Sequence, residues 1–103
     1  MNLDDLIKSA DENGEPPAGI NPSLMAMWLA RNNQWDQAHD LCQEIEGTDG
    51  AWIHAYLHRV EGDLGNASYW YLVAGKNQPQ EDLDREWKAM VEVMLEDFLR
   101  SEG

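Results

Sequence analysis

Apolar residues recur every three or four positions along nearly the whole chain. The clearest case is the C-terminal stretch, where Leu83, Trp87, Met90, Met94 and Phe98 step by four, three, four and four. That period places all five side chains on one face of a helix, and a strand would scatter them over both faces of a sheet. Leu3, Leu6, Ile7 and Ala10 have helical spacing, as do Leu24, Met25, Trp28 and Leu29. Trp35, Ala38, Leu41, Cys42 and Ile45 carry a further helix, and Trp52, Ile53, Tyr56, Leu57 and Val60 another. Leu64, Ala67, Trp70, Tyr71 and Ala74 supply one more. No segment alternates with the period of two that a half-buried strand needs. The expectation is an all-α fold of five or six helices.

The breaks agree with that reading. Asp11 to Gly19 holds two prolines and two glycines and reads as a loop. Asn21-Pro22 is a helix start, because Asn caps and Pro needs no N–H donor in the first turn. Arg31-Asn32-Asn33 and Glu61-Gly62-Asp63 read as short turns, and Gly47-Thr48-Asp49-Gly50 as a break before the helix at Trp52. Gly75, followed by Pro79, stops the next helix, and the last one starts near Asp82. Three segments result: residues 1–20 with a helix and a Pro/Gly loop, 21–79 with paired helices, and 80–103 with the long amphipathic helix. All fit in one compact domain, as 103 residues imply. A two-domain enzyme with a separate cofactor module is excluded by that length.

Twenty acids against seven Lys and Arg give a formal net charge of −13. A nucleic-acid ligand needs a basic face and an anionic membrane surface repels acid, so neither is expected as a partner. No apolar run approaches the roughly 18 residues of a membrane span. The acidic start lacks the pattern of a secretory signal. The expected location is the cytoplasm. Cys42 has no second cysteine to pair with and lies in an apolar stripe, as a buried inert thiol would.

Shifting the chain by 29 residues superimposes Ala26 on Ala55, Asn33 on Gly62, Trp35 on Leu64, Ala38 on Ala67, Leu41 on Trp70 and Cys42 on Tyr71. In each copy a helix precedes a polar turn, then a bulky apolar residue, then an alanine three positions on. The small residue lets two helix backbones approach.

Gly62, Asp63, Ala67, Tyr71, Ala74 and Pro79 fall in order on the pattern of a tetratricopeptide (TPR) repeat, which the stretch from Tyr56 to Pro79 resembles. The earlier copy matches through Ala26, Trp35 and Ala38. The period is 29 rather than the usual 34, Asn33 replaces the turn glycine, and there are about two copies. The resemblance implies antiparallel helical hairpins over residues 22–79. The last helix would then cap them or pair with its counterpart in a homodimer. The segment from Asp49 to Arg59 also resembles short uncharacterised bacterial proteins, a likeness that carries no function.

Trp52, Tyr56 and Arg59 share one helical face, and Met27 and Arg31 occupy the similar face one repeat earlier. The TPR resemblance implies that these residues line a concave groove. An Arg flanked by aromatic rings suits a carboxylate. The expected function is an interaction module that binds a protein segment or small acidic ligand there. Alternatively, Trp52 and Tyr56 pack on the C-terminal helix as core. Tyr69-Trp70-Tyr71 fan about 200° around their helix, and Tyr69 is the member expected to be exposed.

A second class of function rests on His54 and His58, which sit one turn apart on one face, with Glu61 a turn beyond. These residues could hold a divalent metal, and His39 and Asp40 on the preceding helix could add ligands. The alternative is two histidines packed at a helix interface. The zinc-protease motif needs a Glu after the first His, and Ala55 stands there. No nucleophile motif and no phosphate-cradling glycine loop is present, so the reading leans away from an enzyme, and no cofactor other than a metal is implied.

Overall fold

The computed structural model describes residues 2–12 and 14–102; Asn13 of the expected loop lies outside them. They form six helices and no strand: α1 (Leu3–Asp11), α2 (Pro22–Arg31), α3 (Trp35–Cys42), α4 (Thr48–Val60), α5 (Leu64–Ala74) and α6 (Leu83–Glu102). The all-α expectation holds, and none of the described helices is long and apolar enough to cross a membrane.

Local chemistry explains most of the boundaries. Asn2 and Asp5 close a reciprocal capping box at the start of α1. The Asn21 carboxamide accepts from the Leu24 N–H at 2.9 Å, and Pro22 follows at a position where its missing donor costs nothing. Asp63 caps α5 by accepting from the Asn66 N–H.

The turns before α3 and α5 are built alike. Asn33 (φ 64°) and Gly62 (φ 85°) both take the left-handed conformation. The Gln34 N–H reaches back to the Leu29 carbonyl at 2.9 Å, and the Asp63 N–H to the His58 carbonyl at 2.9 Å. Asn is one of the few side-chain-bearing residues that adopts this conformation readily, so it can stand where glycine stands 29 residues later. Ala26, Ala38, Ala55 and Ala67 are all fully buried.

One boundary departs from expectation. Gly47-Thr48-Asp49-Gly50 does not break the chain as a unit. α4 already begins at Thr48, while α3 ends at Cys42, short of Ile45. Gly50 is the reason. A Cβ there would lie 2.1 Å from the Ile45 carbonyl oxygen and 3.0 Å from that of Cys42. The glycine serves close backbone approach inside a helix, which local sequence rules read as a break.

The main core draws on α1, α2, α3, α4 and α6, with Leu6, Leu24, Met27, Ile53, Leu57, Trp87, Met90 and Met94 at its centre. Three indole N–H groups tie helices together. Trp28 donates to Ser9 Oγ at 2.7 Å, Trp35 to the Leu57 carbonyl at 2.7 Å, and Trp87 to the Met27 carbonyl at 2.8 Å. The apolar stripe of α6 is thus used within the chain. α5 stands apart. It packs against α4 and contributes to a smaller cluster of Ala55, Ala67 and Tyr71.

Candidate functional site: a histidine cluster beside an uncharged helix

The Trp52, Tyr56 and Arg59 face of α4, with Met27 and Arg31 of α2, lies under α6. Met27 and Tyr56 are buried in the main core, and Trp52 packs against it. Arg59 Nη1 donates to Glu86 Oε1 at 2.7 Å, and its Nη2 donates to the Glu81 carbonyl. The Tyr71 hydroxyl donates to the other Glu86 oxygen. Burial, and beyond it the bond to Glu86, pushes the Tyr71 phenol well above its ordinary range.

Arg31 is equally engaged. It binds Asp11 through two nitrogens, binds Asp84 at 3.0 Å, and stacks 4.6 Å from the centre of the Trp87 ring. What stays open beside Trp52 is a cleft of about 160 Å³, and Lys76 Nζ lies 4.2 Å above that indole ring. The groove implied by the resemblance is therefore filled, and both of its arginines already hold carboxylates of this chain. α6 is not a loose occupant. Displacing it would expose Trp87, Met90, Val91 and Met94, each worth about 1.5–3 kcal/mol of burial. Their sum is comparable to the whole stability of a domain.

The histidines converge. His54 and His58 lie one turn apart on α4, and His39 faces them from α3. One ring nitrogen of each lies within 4.8 Å of the others. His39 Nε2 and His54 Nε2 are 3.0 Å apart. Glu61 does not join His54 as a ligand. Its carboxylate bonds His58 Nδ1 at 2.7 Å and is grouped with Asp63 instead. Of the expected set, the structure thus brings His54 and His58 together with His39 of α3, and places Glu61 with His58 and Asp63. Asp40, the other residue named on that helix, is exposed.

Aromatic rings fix the cluster from both sides. Trp35 stacks on His39 at 4.8 Å, His54 stacks on His58 at 4.9 Å, and Trp70 stacks on His54 at 4.0 Å. His54 is buried, and its burial, aided by His39 and His58, lowers its pKa to about 4. It is neutral at physiological pH. An open cleft of about 360 Å³ reaches it, with Cys42, Gly50, Trp70 and Val73 among the lining residues.

No protein-family model, curated protein or solved structure matches this chain.

α5 provides the second unusual surface. Its eleven residues, from Leu64 to Ala74, include no charged side chain, in a chain of net charge −13. Leu64, Tyr69, Leu72 and Val73 are exposed, Leu72 most of all at 79%. Tyr69, Leu72 and Val73 are spaced i, i+3, i+4 and form one patch. The exposure expected of Tyr69 is observed. The rest of the patch was missed, because Leu64 and its companions suggested a single buried stripe. The signal was available in the absence of charge: a helix apolar on all sides belongs inside something. Glu86 was missed as well, since an acid next to Trp87 reads as solvated surface until Arg59 is seen across from it.

Proposed function

We propose that this protein is a small TPR-like interaction module whose partner surface is the outer face of α5. The observation that carries this reading is an uncharged, solvent-facing helix in a strongly acidic chain. Support for the repeat comes from the matched turns at Asn33 and Gly62, and from the buried alanines 29 residues apart at Ala26 and Ala55 and at Ala38 and Ala67. In such an array each helix pair covers the one before it, and the last pair needs a cap. α6 covers the Trp52, Tyr56 and Arg59 face and leaves the far side of α5 bare.

The acidic ligand expected for that face is supplied internally by Glu86, so recognition of a second protein falls to α5. The partner is an amphipathic helix with an apolar stripe for Tyr69, Leu72 and Val73. Lys and Arg flank that stripe and complement the surrounding acid. A second copy of this chain is disfavoured as occupant, because it would bring −13 against −13.

The test is an NMR titration of isotope-labelled protein with a short amphipathic helical peptide carrying lysine flanks. Shift changes should cluster at Tyr69, Leu72, Val73 and their neighbours and vanish in Leu72→Glu, which folds normally because that side chain packs on little. Shifts spread over the acidic faces of α1 and α6, or unaltered by Leu72→Glu, would overturn the assignment. So would concentration-dependent dimerisation through α5 without peptide.

A further inference from the structure

We propose that His39, His54 and His58 form a binding site for one divalent transition-metal ion, zinc by preference. Three imidazole ligands suit zinc, copper and nickel and do not suit calcium or magnesium, which take oxygen ligands. The geometry is close to what such an ion needs. A tetrahedral zinc with ligands at about 2.0–2.1 Å sets neighbouring nitrogens about 3.3 Å apart. His39 Nε2 and His54 Nε2 are 3.0 Å apart, and the three ring nitrogens lie within 4.8 Å of one another. A shift of the His58 ring tip by up to about 1.5 Å closes the set.

The tautomers also fit. Only one hydrogen can lie between the Nε2 atoms of His39 and His54. Once the hydrogen of the donor ring has moved from Nε2 to Nδ1, an ion in that place accepts both lone pairs and replaces a single hydrogen bond with two coordinate bonds. His58 has Nδ1 bonded to Glu61 at 2.7 Å, which leaves Nε2 as its free nitrogen. A carboxylate behind a ligating imidazole fixes the ring and raises its basicity, an arrangement characteristic of zinc sites.

The ligands are also held in place before any ion arrives. His54 is mid-helix on α4 and His58 in its last turn, His39 is on α3, and Trp35 and Trp70 stack on His39 and His54. Little side-chain freedom is left to lose on binding. Access comes through the cleft of about 360 Å³ that reaches His54. Three protein ligands leave the fourth position to water, as in zinc sites that retain an exchangeable ligand. The chain's negative field raises the local concentration of cations without distinguishing among them.

The experiment uses tag-free protein stripped with a chelator, titrated with Zn²⁺ by calorimetry and with Cu²⁺ by tryptophan fluorescence. One zinc per chain is expected, with a raised Tm and quenching by Cu²⁺ at Trp35 and Trp70. His39→Gln and His58→Gln, both on partly exposed rings, should lose the site while keeping their far-UV circular dichroism. Glu61→Gln keeps all three ligands and should weaken zinc by about 10- to 100-fold. The proposal is overturned by the absence of saturable zinc binding in the native chain. It is equally overturned if the His39→Gln/His58→Gln double variant binds zinc as tightly as the native chain, which would place the ion on the acidic surface. Should either single variant fail to fold, the Glu61→Gln affinity and the copper quenching of a Trp70→Phe variant carry the same decision.

Discussion

Arg59 on α4 and Glu86 on α6 form an ion pair at 2.7 Å, with Glu86 only 3% exposed and shared with the Tyr71 hydroxyl of α5. One carboxylate thus joins three helices. A buried pair of this kind adds little over an apolar replacement, but removing one member leaves the other charge uncompensated. Glu86→Ala should therefore cost about 3–5 kcal/mol in urea unfolding, and Glu86→Gln, which keeps hydrogen bonds to both partners, clearly less. Equal losses in the two variants would contradict the importance assigned to the charge.

Gly50 should be nearly irreplaceable. Alanine is ordinarily the better helix former, by about 1 kcal/mol. Here its Cβ would meet the Ile45 carbonyl oxygen at 2.1 Å, and backbone yields poorly. Gly50→Ala is expected to destabilise by about 2–3 kcal/mol, with the thermal midpoint as the readout. A stabilised variant would mean that α4 starts later than Thr48.

Acid should weaken the metal-free fold through His54. In the folded chain this ring stays neutral down to about 4, against an ordinary value of 6.5. Between those values the unfolded state binds more protons, so stability is complete above about pH 6.5 and falls as pH drops towards 4. The loss expected from this group is about 1–3 kcal/mol. His54→Phe keeps a ring against Trp70 and cannot titrate. Measured in chelator, its unfolding free energy should change less between pH 6.5 and 4 than that of the native chain.

Cys42 should resist alkylation. It is 2% exposed, its Sγ donates to the His39 carbonyl at 3.2 Å, and burial together with the charge of Asp40 pushes the thiol up to about 12. The thiolate is the reactive form. Iodoacetamide should label the native chain only as fast as it opens, and urea should restore the rate of a free thiol. Rapid labelling without denaturant would show a reachable thiolate.

Much of the architecture could be read without coordinates. The steps of three and four from Leu83 to Phe98, the cap at Asn21 and the turn at Glu61-Gly62-Asp63 place four of the six helices close to where they lie. These are local effects, since the period of a helix and the chemistry of its ends act over four residues or fewer. The pairing of His54 with His58 was legible for the same reason.

Contacts between helices were not legible. Gly50 reads as a break, and only the nearby Ile45 carbonyl explains why it lies inside α4. Glu61 reads as a third ligand until the α4 terminus turns it onto the other side of His58. The Arg59 face reads as an open groove until α6 brings Glu86 onto it. The sequence by itself determined that the chain is helical and roughly where its helices lie. Tertiary structure decided which helix faces found a partner within the chain, because the burial of Trp87 and Met90 commits α6 to the side of the molecule formed with α1 and α2, and leaves the outer face of α5 to water.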